Sequence, residues 1–345
     1  MSNPSDKSSS PKSLLPVRTI VLAGIAWAVL ALLFFLLFSI TPSGEERPFW
    51  YLIGTYVFEE VAYLSAAILC FRNWRSPQIV SGRQVWLGFG LGMLFYFLGN
   101  LLFGYWELAL GLEPDISLGD LFFIATYISL GWGMILAVTS RRLNLEKWQW
   151  GIVAAIAAIG IALAYWISAP GISAAQAAPP PSIVAQGTTT ASPTAKPVSK
   201  PPAAQQKPKP TSAANPAPNS KPAASTSQSS PSWIEQMDKQ LQPLVPWVSL
   251  FYVVCDVALL ILATMLLLAF WGGRFSQSWR MIAAAALSLY IADMWFKWAE
   301  KQPNYESGSL PEVFWVFSGV LFAIGAALEY DTSSRSRRGG GRRRT

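Results

Sequence analysis

Eight uninterrupted apolar runs, each close to 20 residues long, leave this chain little choice of fold. A run of that length crosses the hydrocarbon of a bilayer as an α-helix. Helix is required there because it satisfies every backbone N–H and C=O within the segment. The runs fall near residues 19–40, 50–71, 85–106, 119–140, 149–168, 246–271, 279–298 and 311–330. Of the 345 residues, 52% are hydrophobic and 13% charged, whereas a soluble domain carries about 25% charged residues. The expected fold is all-α, a polytopic membrane bundle of eight transmembrane helices. The first run is longer than the apolar core of a signal peptide and lacks a small-x-small cleavage site, so it reads as an uncleaved anchor.

Short loops orient the bundle. Arg72, Arg75 and Arg83 lie between the second and third runs, Arg141, Arg142 and Lys147 between the fourth and fifth, and Arg274 and Arg280 between the sixth and seventh. The alternate loops are acidic or mixed: Glu45, Glu46 and Arg47, then Glu107, Glu113 and Asp115, then Glu300, Lys301 and Glu306. Lys and Arg stay on the cytoplasmic side of short loops, which predicts a bacterial inner-membrane protein with both termini in the cytoplasm. Trp50, Trp86, Trp106, Trp148, Trp150, Trp247, Trp271, Trp279 and Trp298 fall near run ends, where aromatic belts anchor helices at the interface.

One stretch occurs twice. SLGDLFFIATYISLGWG (Ser117 to Gly133) aligns with SLPEVFWVFSGVLFAIG (Ser309 to Gly325), so that Asp120 meets Glu312 and Phe123 meets Trp315. Upstream, FLGNLLFGYWE aligns with YIADMWFKWAE, pairing Asn100 with Asp293 and Glu107 with Glu300. Further back, Glu60 pairs with Asp256. Asn100 and Asp120 are 20 residues apart, Asp293 and Glu312 19. The pattern predicts two parallel three-helix repeats, 50–140 and 246–330, joined by a linking helix.

Seven polar residues of these repeats have no obvious cationic partner within a run: Glu59, Glu60, Asn100, Asp120, Asp256, Asp293 and Glu312. Only Lys297 comes near, one turn from Asp293. Asp120 and Glu312 open their runs, Asn100 and Asp293 lie about two turns inward, and Glu59, Glu60 and Asp256 fall near mid-depth. Acids in hydrocarbon face the bundle interior or a hydrated cavity, and Asp256 with Glu59 or Glu60 are candidates for holding a proton. The set therefore points to an outward-opening acidic pocket for a cation, a proton or a cationic ligand, its identity open. Interhelical hydrogen bonding is the structural alternative; for Asp120 and Glu312, so is helix capping. Glycines 88, 90, 92, 99, 131 and 133 permit close helix approach.

The chain contains no histidine and two cysteines, Cys70 and Cys255, each inside an apolar run. The usual general base and the commonest transition-metal ligand are missing, and two isolated thiols make neither a disulfide framework nor a metal motif. No enzyme activity, cofactor or metal is expected. Residues 1–16 read as a disordered tail and 17–168 as the first membrane region. Residues 169–231, rich in Pro, Ala, Ser and Lys without an acidic residue, read as an extended linker on the outer face. Residues 232–330 form the second membrane region, opening with a capping-box pair, Ser232 and Glu235, before a short interfacial helix. The basic tail 331–345 is expected to meet membrane lipid rather than nucleic acid.

The openings SLGDLFF and SLPEVFW, with the tract WFKWAEKQPNYESGSLPEVFW, resemble the multi-pass sensory regions that precede bacterial diguanylate cyclase (GGDEF) domains. The resemblance covers roughly residues 50–140 and 246–330. It implies a sensory module, and since the chain ends 15 residues after position 330, it implies a separate signalling output protein as partner. The triplet–linker–triplet layout also resembles PQ-loop and SWEET-type transporters, in which parallel repeats hold substrate between the halves, although no Pro-Gln motif is present. The string LGDLFF resembles lysoplasmalogenase-type membrane enzymes, whose histidine is missing here. The expected function is a sensory or interaction module, with transport of a small cationic or proton-coupled solute as the alternative.

Overall fold

Each apolar run forms a helix. The computed structural model describes residues 16–41, 47–111, 116–140, 145–168, 240–271, 276–302 and 305–341. The linker 169–231, the expected interfacial helix, most of the N-terminal tail and the loop residues Glu45, Glu46, Glu113, Asp115, Arg141, Arg142 and Arg274 lie outside them. Eight α-helices occupy the described residues: α1 Val17–Phe38, α2 Phe49–Arg75, α3 Arg83–Leu110, α4 Gly119–Ser140, α5 Lys147–Ser168, α6 Val245–Ala269, α7 Ser276–Ala299 and α8 Val313–Gly341. Among the described residues there is no strand.

Seven helices are long and apolar enough to cross a membrane, and α7 is not among them. Arg280, Asp293 and Lys297 dilute its apolar content. Its neighbours α5, α6 and α8 bury one flank, including Trp279, Ile282, Ala285 and Ala292. A helix enclosed by other helices needs less apolar surface than one facing hydrocarbon. Helix α8 runs past Tyr330 into the basic tail, where Arg335 Nε pairs with Asp331 Oδ2 at 2.9 Å one turn back.

The packing order closes on itself. Helix α2 packs on α3, α3 on α4, α4 on α6, α6 on α7, α7 on α8, and α8 on α2. Helix α1 lies outside, against α8 and α2, and α5 lies against α6 and α7. The tightest seam joins α3 to α4. A Cβ on Gly88 would stand 2.8 Å from Gly133 Cα, and one on Gly119 would stand 2.8 Å from the Gly99 carbonyl. The small residues thus let two backbones touch.

The end of the bundle where α3 and α7 begin is filled. Phe270 stacks on Trp279 with centroids 4.5 Å apart, and Phe89 packs between Trp279 and Phe322. Trp86 Nε1 donates to Ser81 Oγ at 2.8 Å, and that hydroxyl donates to Glu329 Oε1 at 2.7 Å. The Arg72 guanidinium covers the Tyr330 ring at 4.2 Å. Trp86, Trp106 and Trp279, expected as interfacial anchors, are buried within the bundle. Their indoles fill the space between helices, whereas Trp50, Trp148, Trp150, Trp247 and Trp271 are exposed and remain fit for an interface.

Candidate functional site

The opposite end, where α2, α4, α6 and α8 begin and α3 and α7 finish, is hollow. A cavity of about 450 Å³ lies there. Helical spacing brings its walls together. Thr55, Tyr56 and Glu59 share a face of α2, Tyr96, Asn100 and Phe103 a face of α3, Asp120, Phe123 and Tyr127 a face of α4, and Asp293 and Phe296 a face of α7, with Glu300 just past its end. Residues three, four or seven apart in a helix point the same way.

Five of the seven residues singled out from sequence line this cavity: Glu59, Asn100, Asp120, Asp293 and Glu312. Glu60 and Asp256 do not. Glu60 turns its carboxyl into the packing beside Asn100, with both oxygens shielded from solvent. Asp256 is 1% exposed and sits behind Tyr127. The phenol of Tyr127 is 2.8 Å from Asp256 Oδ1 and 2.7 Å from Asp293 Oδ2. A hydroxyl carries one proton, so both contacts are hydrogen bonds only when one aspartate also carries a proton and donates it to the phenol oxygen. Trp315 Nε1 donates to Asp293 Oδ1 at 2.8 Å, completing a chain from α6 through α4 and α7 to α8.

Asp120 and Glu312 hold equivalent places at the openings of α4 and α8. The Ser117 backbone N–H donates to Asp120 Oδ2 at 2.7 Å, while Tyr252 Oη donates to Oδ1 at 2.6 Å. Glu312 Oε1 accepts from Tyr305 Oη and Ser309 Oγ, each at 2.6 Å, and Oε2 accepts from the Gly308 N–H at 2.7 Å. Both acids therefore cap helix starts, as the structural alternative anticipated. Each also lines the cavity. Tyr305 lies in the loop before α8, where burial and the neighbouring Glu312 push its phenol well above the usual tyrosine range.

The loop carrying these donors is tied down from the other half of the molecule. Arg47 Nη1 donates to the carbonyls of Glu306, at 2.8 Å, and Ser307. Arg47 Nη2 donates to the Ser39 carbonyl at 3.1 Å, and Nε lies 3.5 Å from Glu306 Oε2. Tyr51 Oη donates to the Gly308 carbonyl at 2.6 Å. Gly308 has φ +88, a left-handed conformation in which a side chain would also meet the Tyr51 ring.

Five carboxyls and one lysine, Lys297, line the cavity. Lys297 Nζ lies 3.4 Å from Glu300 Oε1 and 5.9 Å from the Tyr252 ring centroid. Tyr56 Oη donates to Glu107 Oε2, holding α2 against α3. The tyrosines have no part in the sequence reading and Trp315 enters it only as the repeat partner of Phe123, yet a signal existed. Tyr56 and Tyr252 each stand four residues before the paired acids Glu60 and Asp256, and Trp315 stands three after Glu312. Among the described residues no group of three or more Cys, Asp or Glu side chains is placed to hold a metal ion. No protein-family model, curated protein or solved structure matches this chain.

Proposed function

We propose that this chain is an inner-membrane receptor module that binds a cation in the cavity and has no enzymatic activity of its own. In this reading the ring of six helices is two like-oriented triplets, α2–α4 and α6–α8, which with α1 and α5 make eight spans. Both termini face the cytoplasm, and the cavity and the 169–231 linker face outward. Membrane lipid surrounds the bundle, and a separate signalling protein reads its state. The observation that carries the proposal is the convergence of Glu59, Asn100 and Asp120 from one triplet with Asp293 and Glu312 from the other on a single cavity. Intramembrane acids that outnumber their basic counter-charges mark ion or ligand sites, and here one lysine stands among five carboxyls. The filled end around Trp86, Trp279 and Phe322 supports reception over passage.

The experiment is thermal unfolding of the full chain in detergent over a series of inorganic and organic cations. Stabilisation that disappears in Asp293→Asn is the expected result, and indifference to every cation overturns the proposal. Transport is the second reading, favoured by the Tyr127–Asp293 contact that crosses the seam between the two triplets, where parallel repeats hold substrate. Uptake into proteoliposomes that Asp293→Asn abolishes would select it.

A further inference from the structure

The carboxyls of the cavity are of two kinds. Those of Asp120, Asp293 and Glu312 have a fixed hydrogen-bond partner on both oxygens, and Glu300 pairs with Lys297. Glu59 differs. It is 6% exposed, lines the cavity, and forms no ion pair among the described residues. Asn100 beside it turns Nδ2 toward both Glu59 and Glu60 and supplies no charge. A buried carboxylate without a counter-charge is costly, so a ligand that supplies one is favoured at this spot above others in the cavity.

Rings line much of the same cavity: Tyr56 on the helix of Glu59, Tyr96 and Phe103 on α3, and Phe123 on α4. Tyr96 is held by stacking on Tyr63 at 3.6 Å, and Phe123 meets Tyr96 edge-on at 5.4 Å. Ring faces attract cations that have shed water, but they do not replace the six or more oxygen ligands that a hard metal ion such as Ca²⁺ demands. The cavity, at about 450 Å³, falls in the range of small-molecule sites, roughly 300–1,000 Å³.

We infer that the cavity takes a small organic ammonium ion, its nitrogen seated against Glu59 and its carbon body laid along Tyr96, Phe103 and Phe123. This rests on the reading of the cavity as a cation site and narrows it to a chemical class. The carboxylate supplies charge, the rings supply cation–π attraction and apolar contact, and the committed acids at the rim supply a negative approach.

The test is isothermal titration calorimetry of the full chain in detergent. The probes are choline, benzyltrimethylammonium, sodium, calcium and dimethylbutanol, the uncharged carbon isostere of choline. The expected result is binding of the two ammonium ions and not of dimethylbutanol. Glu59→Gln and Phe103→Leu should each weaken it about tenfold, which is about 1.4 kcal/mol. Ammonium binding that ignores both substitutions, or that dimethylbutanol equals, overturns the inference. Glu59-dependent binding of sodium or calcium alone overturns it while leaving the cation site standing. Absence of binding by every probe overturns both. Should Glu59→Gln fail to fold, Phe103→Leu and the choline–dimethylbutanol comparison still decide the matter.

Discussion

The phenol oxygen of Tyr127 lies 2.7 Å from Asp293 Oδ2. Tyr127 belongs to α4 and Asp293 to α7, which the chain separates by 166 residues. Behind the same phenol stands Asp256, at 2.8 Å. One hydroxyl therefore links an acid on the cavity wall to an acid that the cavity does not reach. A proton held by one of the two carboxyls would make them compatible at close range, which a pair of bare negative charges in an apolar bundle would not be.

Removing that hydroxyl leaves two buried carboxyls with one fewer partner. Tyr127→Phe is expected to destabilise the protein by about 1–3 kcal/mol, read by chemical unfolding in detergent. A double-mutant cycle with Asp256→Asn should return a coupling of about 0.5–3 kcal/mol. Strictly additive effects would show that the phenol does not bridge the pair.

The α3–α4 seam tolerates no side chain where Gly88 meets Gly133. Gly88→Ala places a methyl 2.8 Å from backbone atoms of Gly133, which cannot rotate away as a side chain could. The expected cost is about 1–3 kcal/mol. Gly131→Ala, whose Cβ meets nothing within 4 Å, is the matched control and should not destabilise. Equal behaviour of the two variants would contradict the close approach.

Arg47 holds the α7–α8 loop through a planar group that serves carbonyls of Ser39, Glu306 and Ser307 together. Lysine keeps the charge but not the fork of donors. Arg47→Lys should therefore raise amide hydrogen exchange at residues 305–309 while leaving exchange in the middle of α3 unchanged. A uniform rise throughout the bundle would mean that Arg47 supports global stability instead.

Tyr305 predicts behaviour in alkali. Burial, then Glu312, makes its phenol harder to ionise in the folded protein than in the unfolded chain. A raised folded value means that its contribution to stability is fully present below the unfolded value, near 10. It is lost as pH climbs beyond that point, because the unfolded chain releases the proton first. Unfolding measured against pH should thus show a steeper decline above about pH 10 in the parent than in Tyr305→Phe, with parallel curves at lower pH. Parallel curves throughout would place the Tyr305 phenol in water.

Much of the fold was legible because apolar run length answers to bilayer thickness. The run at 119–140 coincides with α4, Gly119–Ser140, and the other helices begin and end within a few residues of their runs except where α2, α3 and α8 extend beyond the hydrocarbon length. Asp120 and Glu312 were legible as helix-opening acids because capping is local, acting over three residues. Trp86 and Trp279 depart from the interfacial expectation because position near a run end says nothing about which side of the helix an indole faces. Glu60 and Asp256 lie behind the cavity wall for the same reason. Glu59 and Glu60 are adjacent in sequence, and a rotation of about 100° separates a cavity wall from packed interior.

What the sequence determined alone was the all-helical bundle, the extent of its helices and the list of acids that hydrocarbon would not accept unpaired. Those properties depend on composition and on contacts within a few residues. Which acids meet, that Tyr127 stands between two of them, and that Glu59 faces open space were decided only by the packing of α2, α3, α4, α6, α7 and α8. Such contacts join residues more than 100 positions apart, and their geometry follows from how side chains interlock across helices.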